Sequence, residues 1–279
     1  MRATPSLPHS LTHSHTHTLK VAMSNFIANM SEEHASVVGS FEWLCDFTYL
    51  KPLFDQLLHE RVSERVSEGV SERVPVRVLE VGCGTSTLAI DLHTAYPSLV
   101  TVHSIDNDKS CIQYMEQTYS ATHSLTWMVY DMIECPDVPN KSTLLQSQSY
   151  DIIVDKGSLD AMLVEGCITP MLCEVYRLLK PTGVYFLCSL HPPELLEPLL
   201  TRSPLNLNVQ FPMQPKDKDT IVSDVVSTVM AAGNRQKNIA ICTKNIDCSS
   251  SVSVSVDATE MIATEDEVMK DFFQNQNPF

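Results

Sequence analysis

Three features are missing from this 279-residue chain. No apolar run approaches the roughly 18–20 residues that a membrane-spanning helix needs, so no transmembrane helix and no membrane partner are expected. No C-x-x-C pair occurs, and the nine cysteines follow no regular spacing. That excludes a zinc ribbon and argues against a secreted disulfide framework; no metal site is expected. Basic residues are scarce: 19 Lys and Arg stand against 34 Asp and Glu, a formal net charge of −15. That balance opposes a phosphate-binding surface, and no direct nucleic-acid partner is expected. It is compatible with a basic protein partner, although its main effect is solubility.

With 43% hydrophobic and 19% charged residues, the chain can build a sizeable core in one or two domains. Cys173, Cys188 and Cys242 sit inside apolar runs and read as buried, reduced thiols. A reducing compartment follows: the cytoplasm first, the mitochondrial matrix as the alternative. Residues 1–30 read as a disordered leader or a weak presequence, rich in Ser, Thr, Pro and His, with no acid before Met23. His13, His15 and His17 alternate within it but make no specific metal site.

Residues 31–60 read as a helical lid, because Phe41, Leu44, Phe47, Leu50, Leu53, Phe54, Leu57 and Leu58 recur at steps of three and four. Pro52 is expected to divide it. The repeat from Arg61 to Val74 reads as a low-complexity linker, since Val, Ser and Gly69 are poor helix formers. Residues 75–245 then alternate short apolar runs with helical segments. Strands are expected at Val76–Val81, Leu99–Ile105, Leu125–Tyr130, Tyr150–Val154, Val184–Leu190, Leu205–Phe211 and Asn238–Thr243. Helices are expected after the first, second and fourth strands, and from Thr169-Pro170 to Leu179, before a Lys180–Gly183 turn. This is an α/β chain with a mostly parallel sheet and helices on both faces. Residues 246–279 read as a largely disordered acidic tail, with a short helix at Thr264–Phe273.

The chemistry gathers at the ends of the expected strands. Glu80-Val81-Gly82-Cys83-Gly84-Thr85-Ser86 is an acid followed by G-x-G, where the backbone can turn sharply and approach a ligand. A carboxylate there repels phosphate and suits a cationic or amine-bearing ligand, which disfavours a nicotinamide dinucleotide. Asp106, with Asn107 beside it, closes the second strand, where a carboxylate can accept from both ribose hydroxyls. Asp108 is the expected helix cap. Asp131 and Met132 close the third strand, and Asp155 the fourth.

The block Asp155-Lys156-Gly157-Ser158-Leu159-Asp160-Ala161 resembles the D-K-G-x-x-D-A motif of a branch of the class I, seven-strand S-adenosylmethionine (SAM)-dependent methyltransferases. That branch contains protein-lysine methyltransferases acting on elongation factor 1-alpha and on citrate synthase. Glu80–Ser86, Glu174–Gly183 and Phe41-Glu42-Trp43 carry the same resemblance, which covers roughly Phe41 to Thr243. The sequence departs from the pattern at Ser86, where a third glycine is usual. It departs again at Leu44-Cys45, where relatives often have an aromatic residue and glycine, and in the Arg61–Val74 repeat. The resemblance implies a Rossmann-like seven-strand sheet with the last strand antiparallel, SAM as cofactor, and a lysine-bearing protein as substrate, elongation factor 1-alpha or citrate synthase. A small-molecule methyltransferase and an inactive SAM-binding module are the rivals, and a monomer is expected. It implies Glu80, Gly82, Cys83 and Gly84 beside the methionine part of SAM. Asp106 and Asn107 would hold the ribose, Asp131 and Met132 the adenine. Asp155 would lie beside the transferable methyl of SAM and orient the acceptor amine, with Trp43 closing the pocket. Lys156 would either pair with an acid to shape the loop or act at the site.

Overall fold

A computed structural model describes residues 40–67, 69, 74–119, 125–133, 145–201, 207–212 and 237–244. The elements run α1 (Phe47–Ser67), β1 (Val76–Val81), α2 (Leu88–Ala95), β2 (Val100–Asp106), α3 (Lys109–Thr118), β3 (Leu125–Val129) and β4 (Tyr150–Lys156). They continue α4 (Ser158–Glu165), α5 (Ile168–Leu178), β5 (Leu179–Ser189), α6 (Pro193–Thr201), β6 (Leu207–Gln210) and β7 (Asn238–Lys244). The seven strands form one sheet in the order β3-β2-β1-β4-β5-β7-β6. β1 to β5 are parallel, and β7 runs antiparallel to both neighbours. This is the Rossmann-like arrangement expected, last strand included. The leader with its three histidines, the tail helix at Thr264–Phe273 and part of the repeat lie outside the described residues.

Strand alternation divides the core. On one face Val76, Val78, Val102, Val154, Phe186 and Ile239 pack under α1, α2 and α3. On the other, Leu79, Val81, Ile153, Tyr185 and Leu187 pack under α4, α5 and α6. Strands buried on both faces carry near-continuous apolar runs, as here.

Three expectations are corrected. α1 passes through Pro52 undivided. It also runs on through Arg61–Ser67, so the start of the repeat is helix and not linker; the turn at Gly69, with φ at +82°, follows it. Tertiary packing overrides weak propensity there: Arg61 is buried and donates to the Thr182 carbonyl, Val62 packs on the core, and the Arg65 guanidinium lies 4.0 Å from Asp151. Finally, β5 begins at Leu179, and Lys180–Gly183 is an irregularity within it, between pairings Tyr150–Leu179 and Ile152–Val184. Among the described residues, no helix is long and apolar enough to cross a membrane.

Candidate active site

β1 lies between β2 and β4, so the connections leaving β1 and β4 diverge to opposite sides of the sheet. Open α/β sheets bind ligands at such a switch point, beyond the carboxyl ends of the strands. A cavity of about 340 Å³ occupies that position. Its wall takes Glu80–Ser86 from the end of β1, Asp106 and Asn107 from β2, Tyr130–Ile133 from β3, and Lys156–Ser158 from β4. Met162 and Met171 add apolar surface below, and Phe41 and Trp43 above. Of the residues expected from sequence, Trp43, Glu80, Gly82, Cys83, Gly84, Asp106, Asn107, Asp131 and Met132 are brought together here. Asp155 is not.

The glycine loop is built by a close approach. Gly82 has φ +61°, and a Cβ there would lie 2.0 Å from Ser158 Oγ, which donates to the Val81 carbonyl at 2.8 Å. Gly84 has φ +50°, and a Cβ there would enter open space. The Gly84 N–H donates to Asp106 Oδ2, and the Asp108 N–H to Asp106 Oδ1, both at 2.8 Å. Asp106 therefore ties the loop after β1 to the end of β2 while its carboxylate still faces the cavity. Asp108 caps α3 through the Ser110 N–H. Asp131 Oδ1 accepts from the Ile133 N–H at 2.9 Å, which fixes the turn after β3.

Asp155 is wholly buried. It accepts from the Ser158 and Leu159 N–H groups at the start of α4 and from the Tyr185 hydroxyl at 2.8 Å. The reason is strand parity. Ile153 and Asp155 point to the α4 side of the sheet, and Lys156 points to the opposite side. The structure thus gives Asp155 a helix-capping position, and it is not among the residues that line the cavity.

Lys156 and Glu42 organise the roof. Lys156 Nζ donates to Glu42 Oε2 at 2.8 Å and to the Trp43 carbonyl at 3.0 Å. Glu42 also accepts from the Thr87 N–H at 2.6 Å and from the Ser86 hydroxyl, so it caps α2 from a distant segment. One carboxylate joins the roof, the glycine loop and the end of β4. Sequence reasoning named Phe41-Glu42-Trp43 but gave Glu42 no role; an acid beside the tryptophan and a lysine on a buried strand end were the available signal. Asp160 accepts from the Ser189 hydroxyl and the Leu190 N–H, holding α4 to the end of β5.

Burial governs the electrostatics. It pushes Glu80 up to about 7, against a hydrogen bond from Ser104 and the Lys156 charge. It pushes Asp160 to about 7 and Asp155 to about 6, and raises Asp106. Such a cavity asks for positive charge. S-adenosylmethionine would meet that demand with an ammonium and a sulfonium.

A Rossmann-like sheet with a positive-φ glycine loop and carboxylates at the ends of β1, β2 and β3 defines the class I methyltransferases. A methyltransferase-domain model matches residues 73–260, and the chain belongs to that family. S-adenosylmethionine is its cofactor. Similar proteins include the human mitochondrial citrate synthase-lysine N-methyltransferase CSKMT, 27% identical over 184 residues, covering 61% of this chain and 70% of that protein. Mouse EEF1A lysine methyltransferase 4 is 31% identical over 158 residues, and the match spans about half of each protein, 52%. Among solved structures, Haemonchus contortus phosphoethanolamine N-methyltransferase 1 is 13% identical with a TM-score of 0.46, over 79% of this chain and 49% of that one.

Two predictions follow from the geometry. Asp106→Ala removes the acceptor for two loop N–H groups and a wall carboxylate together. The rise in melting temperature on adding SAM should fall to near zero, while the apo protein stays folded. An unchanged rise would exclude Asp106 from the cofactor site. The second concerns pH. Glu80, Asp160 and Asp155 hold their protons to higher pH in the folded state than in the unfolded state, whose values are 4.5, 3.8 and 3.8. Their stabilisation is complete below the unfolded values and is lost as pH rises through about 6 to about 7. Asp55 and Asp108 are lowered by hydrogen bonds and act only below about pH 4, outside this window; His103, held below its usual value by burial, opposes the trend inside it but is one group against three. The apo protein should therefore melt about 5 °C lower at pH 8 than at pH 5.5. Glu80→Gln should flatten the slope, and a melting temperature that climbs across the window would refute the assignment.

Proposed function

We propose that this methyltransferase transfers a methyl group to the side-chain amine of a lysine in a protein. The observation that carries the reading is the Glu42–Lys156–Trp43 roof. It makes the Asp155–Ala161 motif a device for holding an aromatic lid over the cofactor cavity. The likeness to a citrate synthase-lysine and an EEF1A lysine methyltransferase supports the same substrate class.

The cofactor supplies an electrophilic methyl group on a sulfonium. Glu80 and the Gly82–Gly84 backbone would lie beside its methionine part. Asp106 and Asn107 would lie beside the ribose, Asp131 and the Met132 backbone beside the adenine. The protein's remaining task is the acceptor. A lysine amine has an ordinary pKa of about 10.4, so a neutral amine at pH 7 costs about 3.4 units, roughly 4.6 kcal/mol. Phe41, Trp43 and Met162 wall the cavity with apolar surface. Desolvation there, beside a positive sulfonium, lowers the amine's pKa. In-line displacement then depends on holding amine and methyl in contact, which is the work of the lid.

The test is labelled methyl transfer into a proteome, followed by mass mapping of the labelled protein. Elongation factor 1-alpha is the first purified substrate to assay. Citrate synthase is the second, since the match to its lysine methyltransferase is the longer of the two. Label on a lysine of one protein band supports the reading. Label confined to small molecules, or no label from a protein that binds SAM, overturns it.

A further inference from the structure

Cys45 and Cys188 are 143 residues apart in the chain and share one buried site, with their Sγ atoms 3.8 Å apart. The packing explains the meeting. Asp46 accepts from the Tyr49 N–H and caps α1, so Cys45 directly precedes the cap. α1 lies along β5, with Phe54 stacked on Phe186 at a centroid distance of 4.9 Å. Cys188 is two residues beyond Phe186, on the same face of the strand. Cys45 belongs to the lid: Trp43 lines the cavity, and Leu44 takes the left-handed region at φ +65°. Cys188 is the register partner of Lys156, the residue that ties down Glu42 and Trp43. The thiol pair therefore sits where the lid is fastened to the sheet.

The two thiols share one hydrogen bond in which either sulfur can donate. With Cys188 as the donor, and the Lys156 and Lys237 charges nearby, Cys45 lies below the ordinary thiol range, while the same bond and burial push Cys188 up. A nucleophilic thiol beside a resolving partner is the arrangement that disulfide formation needs.

We propose that Cys45 and Cys188 are a redox-modification site, closing to an intramolecular disulfide that clamps the Phe41–Asp46 lid onto β5. The oxidant is a hydroperoxide. The Cys45 thiolate attacks the peroxide oxygen, the O–O bond breaks, and Cys45 becomes a sulfenic acid as the departing hydroxide takes up a proton to form water. The Cys188 sulfur then attacks the Cys45 sulfur, the S–O bond breaks, and a second water leaves with the Cys188 proton. Two thiols and one hydrogen peroxide give one disulfide and two waters. Moving the sulfurs from 3.8 Å to bonding distance, about 2.05 Å, draws the residue next to Leu44 toward the sheet.

Reduced full-length protein is treated with hydrogen peroxide, blocked under denaturing conditions and mapped by mass spectrometry. The expected product is a Cys45–Cys188 linked peptide that dithiothreitol reverses. The oxidised protein should melt about 5 °C higher, because the link closes a long loop. It should also release S-adenosylhomocysteine more slowly, by about tenfold, if the lid must lift by a motion the link forbids. Cys45→Ala and Cys188→Ala should each abolish the link and both shifts, whereas Cys242→Ala, on the opposite face, should keep them. Recovery of Cys45 and Cys188 as free thiols while Cys111 or Cys167 is oxidised would overturn the site. A disulfide that leaves the release rate unchanged would overturn the clamp.

Discussion

Gly157→Ala should cut methyl transfer by about a hundredfold or more while leaving a folded protein. Gly157 has φ +97°, a conformation that is strained for alanine by about 1–2 kcal/mol. The added Cβ would lie 2.1 Å from Trp43 Cδ1 and 2.2 Å from Nε1. An indole is rigid, so the whole ring must leave. The Trp43 carbonyl is held by Lys156, and its neighbour Glu42 caps α2, so a displaced ring loosens the roof and the glycine loop together. Trp43 is only partly buried and packs at the margin of one core face, which is why the fold survives. The double variant Trp43→Ala/Gly157→Ala separates the effects: its stability should return close to that of Trp43→Ala, and its activity should stay low. Normal cofactor affinity and turnover in Gly157→Ala would show that the lid does not close the site.

The physical origin of this effect was half visible in the residues. A glycine between Lys156 and Ser158 announces a positive φ or a close approach, but the approaching group lies 114 residues away in sequence. The same holds across the site. Glu80, Asp106 and Asp131 were legible because an open α/β sheet sends its strand ends to one rim, and position along a strand is readable. The side to which a strand-end residue points was also readable in principle, since alternation is strict. Applied to β4, it separates Asp155 from Lys156. The resemblance drew attention to the motif as a unit and hid that its first two residues serve opposite faces of the sheet.

The fold was legible where apolar runs were long and separated by turns. It was not where local signals and packing disagreed. α6 escaped because Pro193 starts it and Pro198 lies inside it, yet Leu195, Leu196, Leu199 and Leu200 bury it against the sheet. The Arg61–Ser67 extension escaped because its residues are poor helix formers, and its stabilising partners, Thr182 and Asp151, are remote. Leu44-Cys45 was visible as a departure from the family pattern. That the cysteine meets Cys188 needed the packing of α1 on β5.

Asp155→Asn should lower the melting temperature and leave turnover per folded molecule within about threefold of the parent. The carboxylate does not itself line the cavity; it holds the first turn of α4 and the Tyr185 hydroxyl. An asparagine keeps one oxygen for the Ser158 and Leu159 N–H groups, and its amide can donate to the Tyr185 oxygen, so most of the network has a neutral equivalent. Asp155→Ala has none. It leaves two helix-end N–H groups and a hydroxyl without acceptors in a fully buried place, at about 1–3 kcal/mol each. The alanine variant should therefore melt about 10 °C lower or more, and lose activity in proportion to the folded fraction. A carboxylate that oriented the acceptor would give the opposite pattern. Asp155→Asn would then bind SAM normally, melt normally and lose about a hundredfold in the single-turnover rate, about 2.7 kcal/mol of transition-state positioning. Calorimetric SAM binding, melting and single-turnover transfer on the two variants distinguish a cap from an orienter. Strand parity and the hydrogen bonds of the Asp155 side chain predict the cap.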